Sequence, residues 1–333
     1  MNLRKDKVVQ STDGDALSSK YSAVQKRYLR DDFIDLFVAG AKQAAAQQGP
    51  GSARKTVAQF QPKLPLINRG TFVRHHAIDV MVERFLSAKK PGQRVQIISL
   101  GAGSDTRPFS LWNENKEYKN EVLYHEIDFA VSVQRKKDII LQDSTLRELV
   151  GSDEKQSEEN KTSFLSTQRY HLHGIDLRTI GPDFVLPGSD PSLATLIISE
   201  CCLCYLEPDQ AKKVISWITN EFHDSTIIMY EPLSGQDQFG QVMIENLASR
   251  GISIPSMTKF PSLESQIERF KTAGYTEVLA TSMDVIHDEW VSPEEQQRIH
   301  GLEFLDEREE LLLLLKHYCV VWASKLDVSR RER

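Results

Sequence analysis

Seven short apolar runs, most of them separated by amphipathic stretches, constrain the fold of this chain more than any other feature. They are Val95–Leu100, Val122–Ile127, Tyr170–Ile175, Leu193–Ser199, Ser225–Tyr230, Thr276–Ser282 and Tyr318–Ala323. The first four resemble strands buried on both faces rather than half-buried alternating ones. Helical stretches at Ile78–Ala88, Pro208–Glu221, Gly240–Ser249 and Leu263–Ala273 fill most of the gaps. Strands interleaved with helices need right-handed crossovers, and so a mainly parallel sheet covered on both faces. A Rossmann-like α/β core is expected over residues 91–333.

Residues 1–90 read as a helical extension of the same single domain, 1–333. A helix is expected over 12–38, capped by Thr12 or Asp13, with Leu17, Tyr21, Val24 and Tyr28 on one face. Ala39–Ala58 is rich in Ala, Gln and Gly and centres on the breaker cluster Gly49-Pro50-Gly51-Ser52, so a flexible loop is expected near 39–60. Gly151–Ser163, dense in Glu, Asp, Lys and Ser, reads as a disordered loop.

Composition excludes some classes of function. The net charge of −6 offers no basic face for a phosphate backbone, so no nucleic-acid partner is expected. The segment Met1–Lys7 has no apolar stretch behind its charges and does not resemble a secretory leader. No run approaches the roughly 20 apolar residues of a membrane helix. A cytoplasmic monomer is the expectation. Of the four cysteines, Cys201, Cys202 and Cys204 crowd together, but only Cys201 and Cys204 have zinc-like spacing and no second pair is near. Buried thiols at a strand end are expected, with no metal.

The chemistry is concentrated at strand ends. In an open parallel sheet, ligands bind outside the carboxyl ends of the strands, where strand order reverses. After Val95–Leu100 comes Gly101-Ala102-Gly103-Ser104-Asp105-Thr106, a glycine turn. Asp128 follows the second run, with Glu126 two positions earlier on the same face. Asp176 follows the third run, and Glu200 the fourth. A dinucleotide fingerprint needs a third small residue where Thr106 stands, which disfavours a pyrophosphate ligand. A carboxylate after strand two can accept both ribose hydroxyls, and one after strand three can accept from an adenine amino group. A ligand with adenosine but no pyrophosphate fits this set, and S-adenosylmethionine is such a ligand.

The residues then show a family pattern. Asp15–Lys20, Ile67-Asn-Arg-Gly-Thr-Phe-Val-Arg74, Leu100–Asp105, Glu126-Ile-Asp128, Asp176-Leu177, Ile198-Ser-Glu-Cys-Cys-Leu-Cys-Tyr205, Phe239–Leu247 and Leu302–Glu307 together resemble the leucine carboxyl methyltransferases. That resemblance implies a class I S-adenosylmethionine-dependent methyltransferase fold, a seven-stranded sheet whose last strand is antiparallel, with a substrate-side helical region. It implies cofactor contacts from Lys20, Arg74, Gly101, Asp128, Asp176, Leu177 and Glu200, and substrate contacts from Tyr205 and Arg74. The implied partner is the C-terminal tail of the protein phosphatase 2A catalytic subunit, methylated on its terminal leucine carboxylate. Asp237-Gln238-Phe239-Gly240 departs from the family's D-R-F-G. Two other readings compete: a relative acting on another carboxylate or hydroxyl, and a non-catalytic phosphatase-binding module docking through an acidic helix at Leu302–Leu311.

Overall fold

All seven apolar runs become strands of one sheet in the computed structural model, which describes residues 3–151, 162–306 and 308–325. In chain order the strands are β1 (Val95–Leu100), β2 (Val122–Asp128), β3 (Ser163–Ser166), β4 (Tyr170–Gly174), β5 (Ala194–Glu200), β6 (Ser225–Pro232), β7 (Glu277–Ser282) and β8 (Tyr318–Lys325). They lie side by side in the order β3-β4-β2-β1-β5-β6-β8-β7. Strands β4, β2, β1, β5 and β6 run parallel, and β8 is antiparallel to both of its neighbours. The antiparallel last strand agrees with expectation, but the sheet has eight strands rather than seven. The addition is β3, a short edge strand antiparallel to β4. The sequence reading placed these residues at the end of an acidic loop. The body of that loop, residues 152–161, lies outside the described residues.

From β1 the chain steps outward to β2 and β4, then returns to set β5 and β6 on the other side. Strand order therefore reverses between β1 and β5, and a ligand crevice is expected outside their carboxyl ends. Every residue of β1 is buried, as a central parallel strand covered on both faces requires. Ile97 packs in one apolar cluster and Ile98 in the other, on opposite faces of the sheet.

The N-terminal region differs from expectation in its helix boundaries. Its helices are α1 (Leu3–Gln25), α2 (Ile34–Gln47), α3 (Pro50–Gln59) and α4 (Pro65–Ser87). The helix expected over 12–38 is two helices. The backbone turns left-handed at Arg27 (φ 64°). Asp31 then starts α2 by accepting from the N–H groups of Phe33 and Ile34 at 2.9 and 3.0 Å. The loop expected at 39–58 is helical apart from the joint at Gln48 and Gly49. Ala and Gln are strong helix formers. Pro50 sits in the first turn, where its missing N–H and fixed φ favour a start rather than a stop.

Helix α4 brings the N-R-G-x-x-x-R segment to the crevice. Ile67, Gly70, Thr71 and Arg74, spaced along one helical face, line the cavity, whereas Phe72, Val73 and Ile78 are buried. Asn68 and Arg69 are buried and structural. Asn68 accepts from the Ser22 hydroxyl and donates to the Glu303 carboxylate, both at 2.8 Å, and Arg69 donates to the Glu303 carbonyl at 3.2 Å. The helix expected at Leu302–Leu311 begins only at Arg308, because residues 302–306 form this docked turn instead. No helix among the described residues is long and apolar enough to cross a membrane.

Candidate functional site

A cavity of about 490 Å³ opens at the reversal of strand order. Lys20, Arg74, Gly101, Asp128, Asp176, Leu177, Glu200 and Tyr205 all line it. The structure thus brings every candidate site residue to one place, from α1, α4 and the ends of β1, β2, β4 and β5.

The turn after β1 is left-handed at Gly101 (φ 63°) and Gly103 (φ 47°), a conformation that suits glycine. A side chain at Gly101 would also approach the Cys202 sulfur to 2.6 Å. The turn is pinned from two sides. Gly103 N–H donates to Asp128 Oδ2 at 2.7 Å. The backbone N–H and hydroxyl of Ser104 donate to the carboxylate of Asp13 at 2.7 and 2.8 Å. Asp13 is therefore not the start of a helix, as the sequence reading had it. It lies within α1 and fastens that helix over the turn. Thr106, which argued against a pyrophosphate, is fully buried; it donates to Asp31 and accepts from Lys20 Nζ at 2.7 Å.

Asp128 also accepts from Phe129 N–H at 2.6 Å, leaving lone pairs toward the cavity. Burial raises its pKa to about 6, against the pull of the Gly103 and Phe129 N–H groups and with help from the Asp13 carboxylate. A ribose needs the ionised acceptor. Affinity for an adenosine ligand should accordingly weaken about tenfold between about pH 7 and about pH 5 as the carboxyl protonates. Calorimetric titration with S-adenosylhomocysteine across that range tests this, and a flat profile would refute it.

Asp176 reaches the cavity already engaged. Its oxygens take the Arg178 backbone N–H at 3.0 Å and the guanidinium at 2.6–3.1 Å, and Arg178 is clamped from behind by Asp6 at 2.7 and 3.0 Å. Burial works against its charge, but Arg178 holds Asp176 below the usual carboxylate value. Leu177 adds an apolar surface beside it.

Glu200, ending β5, is the electrostatic centre of the site. Arg74 Nε donates to it at 2.5 Å, and an Arg107 nitrogen lies 3.7 Å from its other oxygen. Burial works against its charge, but Arg74 and Arg107 together hold it below the usual carboxylate value. The Arg74 guanidinium lies 5.0 Å from the ring centre of Tyr230. Lys20 is less available, since Nζ serves both Thr106 and Asp31 at 2.7 Å.

Several site residues were not reached from the sequence. Arg107 joins Asp105 (2.5 Å), Asp79 (2.9 Å) and Glu200 behind the cavity wall. Tyr230 and Tyr318 line the cavity from β6 and β8. Extending the strand-end rule to β6 would have found Tyr230; only the fold brings Tyr318 beside it. Glu126, grouped with Asp128 in the sequence, is instead buried on Lys136 and the Tyr170 hydroxyl, both at 2.6 Å. Lys136 then holds the Asp105 carbonyl at 2.6 Å. The cysteines divide: Cys204 is buried as expected and Cys319 is buried in β8, whereas Cys201 and Cys202 are half-buried on the cavity wall because β5 ends before them.

Fold and site together define an α/β methyltransferase of the Rossmann-like class. The family model described as leucine carboxyl methyltransferase matches residues 8–219. The chain is 87% identical to leucine carboxyl methyltransferase 1 of Yarrowia lipolytica (strain CLIB 122 / E 150), over 98% of this chain and 99% of that protein. It is 41% identical to leucine carboxyl methyltransferase 1 of Candida albicans, over 96% of this chain and 93% of that protein. This chain belongs to the leucine carboxyl methyltransferase family. Among solved structures, the plantazolicin methyltransferase BamL is similar at TM-score 0.46 and 12% identity, covering 87% of this chain and 97% of that chain.

Proposed function

We propose that this chain methylates the α-carboxylate of the C-terminal leucine of the protein phosphatase 2A catalytic subunit, with S-adenosyl-L-methionine as methyl donor. One observation carries the reading: a single cavity gathers the residues suited to the donor, Arg74 among them, and, next to them, a tyrosine wall suited to a carboxylate. Family membership supports it. The cavity also lies within the range of about 300–1,000 Å³ usual for small-ligand sites.

The donor supplies a methyl group on a positively charged sulfur, already activated for displacement. The residues of the chain bind and align. Asp128 accepts the ribose hydroxyls, Leu177 lies against adenine, and Glu200 presents negative charge to the methionyl ammonium and sulfonium. Arg74 uses its terminal nitrogens for the methionyl carboxylate. A peptide α-carboxylate has a reference pKa of about 3.5 and is ionised at neutral pH, so no general base is required. What the site must do is hold oxygen, methyl carbon and sulfur in line and keep water from the nucleophile.

The test is mass spectrometry of phosphatase catalytic subunit, intact or lacking its terminal leucine, after incubation with this chain and labelled donor. A base-labile methyl ester is expected on the intact tail alone. Label on the truncated subunit, or on neither, would sink the assignment.

A further inference from the structure

The cavity extends past the residues that suit the donor. Gly101 and Asp176 follow β1 and β4, and Asp128 and Glu200 end β2 and β5. Beyond β5 lie β6 and β8. At about 4.8 Å per strand, they continue the wall roughly 5–10 Å past Glu200. Tyr230 and Tyr318 stand there, with rings stacked at 5.3 Å and 13° and Arg74 over Tyr230.

Neither hydroxyl has a hydrogen-bond partner among the described residues, and neither is sealed off as the buried hydroxyls of Tyr28, Tyr124 and Tyr275 are. Tyr205, the substrate-side hydroxyl implied by the family resemblance, is different: it is hydrogen-bonded to Thr12. Two open, adjacent phenol donors in a cavity point to a ligand acceptor group. Burial pushes both phenols above the usual tyrosine value, so they keep their protons and donate. A neutral donor also orients a carboxylate without the strong bidentate pairing by which an arginine would blunt its nucleophilicity.

We propose that Tyr230 and Tyr318 are the acceptor-binding pair, their hydroxyls holding one oxygen of the incoming C-terminal carboxylate and leaving the other to attack. This rests on the carboxyl-methylation reading above. The free oxygen forms a bond to the methyl carbon as the carbon–sulfur bond breaks. The bonding pair stays on sulfur, and no proton moves.

The experiment compares wild type, Tyr230→Phe, Tyr318→Phe and the double variant, with intact phosphatase catalytic subunit as acceptor. Phenylalanine keeps the ring stack and the Arg74 contact, so the hydroxyl alone is removed. Each single variant should lose roughly tenfold or more in kcat/KM, chiefly through KM for the acceptor, because a hydrogen bond to a charged group is lost. S-adenosylhomocysteine affinity, measured by calorimetry on the same samples, should stay unchanged, which a merely structural role would not predict. Unaltered acceptor kinetics in both variants, or an equal fall in S-adenosylhomocysteine affinity, overturns the assignment of the tyrosines. A wild type that fails to esterify the intact subunit overturns the carboxyl-methylation reading instead.

Discussion

Asp128→Ala is expected to lose S-adenosylhomocysteine binding by two to four orders of magnitude while remaining folded. The carboxylate ends β2 at the cavity wall and is placed to accept two ribose hydroxyls. Each such hydrogen bond to a charged acceptor contributes about 1.5–3 kcal/mol. Alanine also removes the acceptor for Gly103 N–H, so the glycine turn loses one of its two anchors; Asp13 keeps the other through Ser104. Stability should change little. The raised pKa of about 6 means that the folded protein holds the ionised carboxyl at a disadvantage. By linkage, that disadvantage grows as pH rises through the window from the unfolded value up to about 6, and is complete above it. Alanine relieves it, which offsets the two lost backbone hydrogen bonds. Calorimetry and a thermal melt on one preparation test both halves. Unchanged affinity removes Asp128 from the ribose role, and a melt shifted far downward shows that its role is structural.

What was legible in the sequence followed from local chemistry. A parallel strand buried on both faces is rich in apolar residues, so β1 and β5 announce themselves most clearly, and the glycine turn after β1 and the acid at or just past the ends of β2, β4 and β5 are found by looking there. Gly101 and Gly103 were legible for the same reason, since a turn that tight selects its residue type. The misreadings have local causes too. Gly49-Pro50 reads as a break within a loop, yet proline begins a helix as readily as it ends one, and the alanines on the α2 side favour helix. Strand β3 was hidden because four residues beside an acidic stretch carry no periodicity of their own; only pairing with β4 makes them a strand. The rest is not local. Asp13 reaches Ser104 across 91 positions, and Lys20 reaches Thr106 across 86. Tyr230 meets Tyr318 because β6 and β8 are sheet neighbours. No pattern within a window of residues encodes such meetings.

Arg107 shows the same limit and carries the largest expected effect on stability: Arg107→Met should cost about 3–5 kcal/mol at neutral pH. The guanidinium is 7% exposed and touches Asp105, Asp79 and Glu200. Methionine would fill much of its volume but leave Asp105 and Glu200 without their shared cation. The loss falls mainly on those two, because the Asp79 side chain is 57% exposed and water can screen it. Burial opposes the charge of Asp105 and Glu200, yet their cations hold both below the usual carboxylate value. In the wild type they therefore contribute stability above the unfolded carboxylate pKa that is lost as pH falls through their folded values. In the variant both are held less firmly, although Arg74 still pairs with Glu200, so that contribution is reduced at neutral pH and there is less to lose on acidification. The stability gap between the two proteins should narrow as pH falls, measured by urea unfolding at neutral and mildly acidic pH. Arg107→Lys should not restore it, because a single ammonium cannot span carboxylates that a planar fork reaches together. A gap that stays constant with pH would mean that Arg107 acts through packing alone, and full rescue by lysine would mean that its charge matters but its geometry does not.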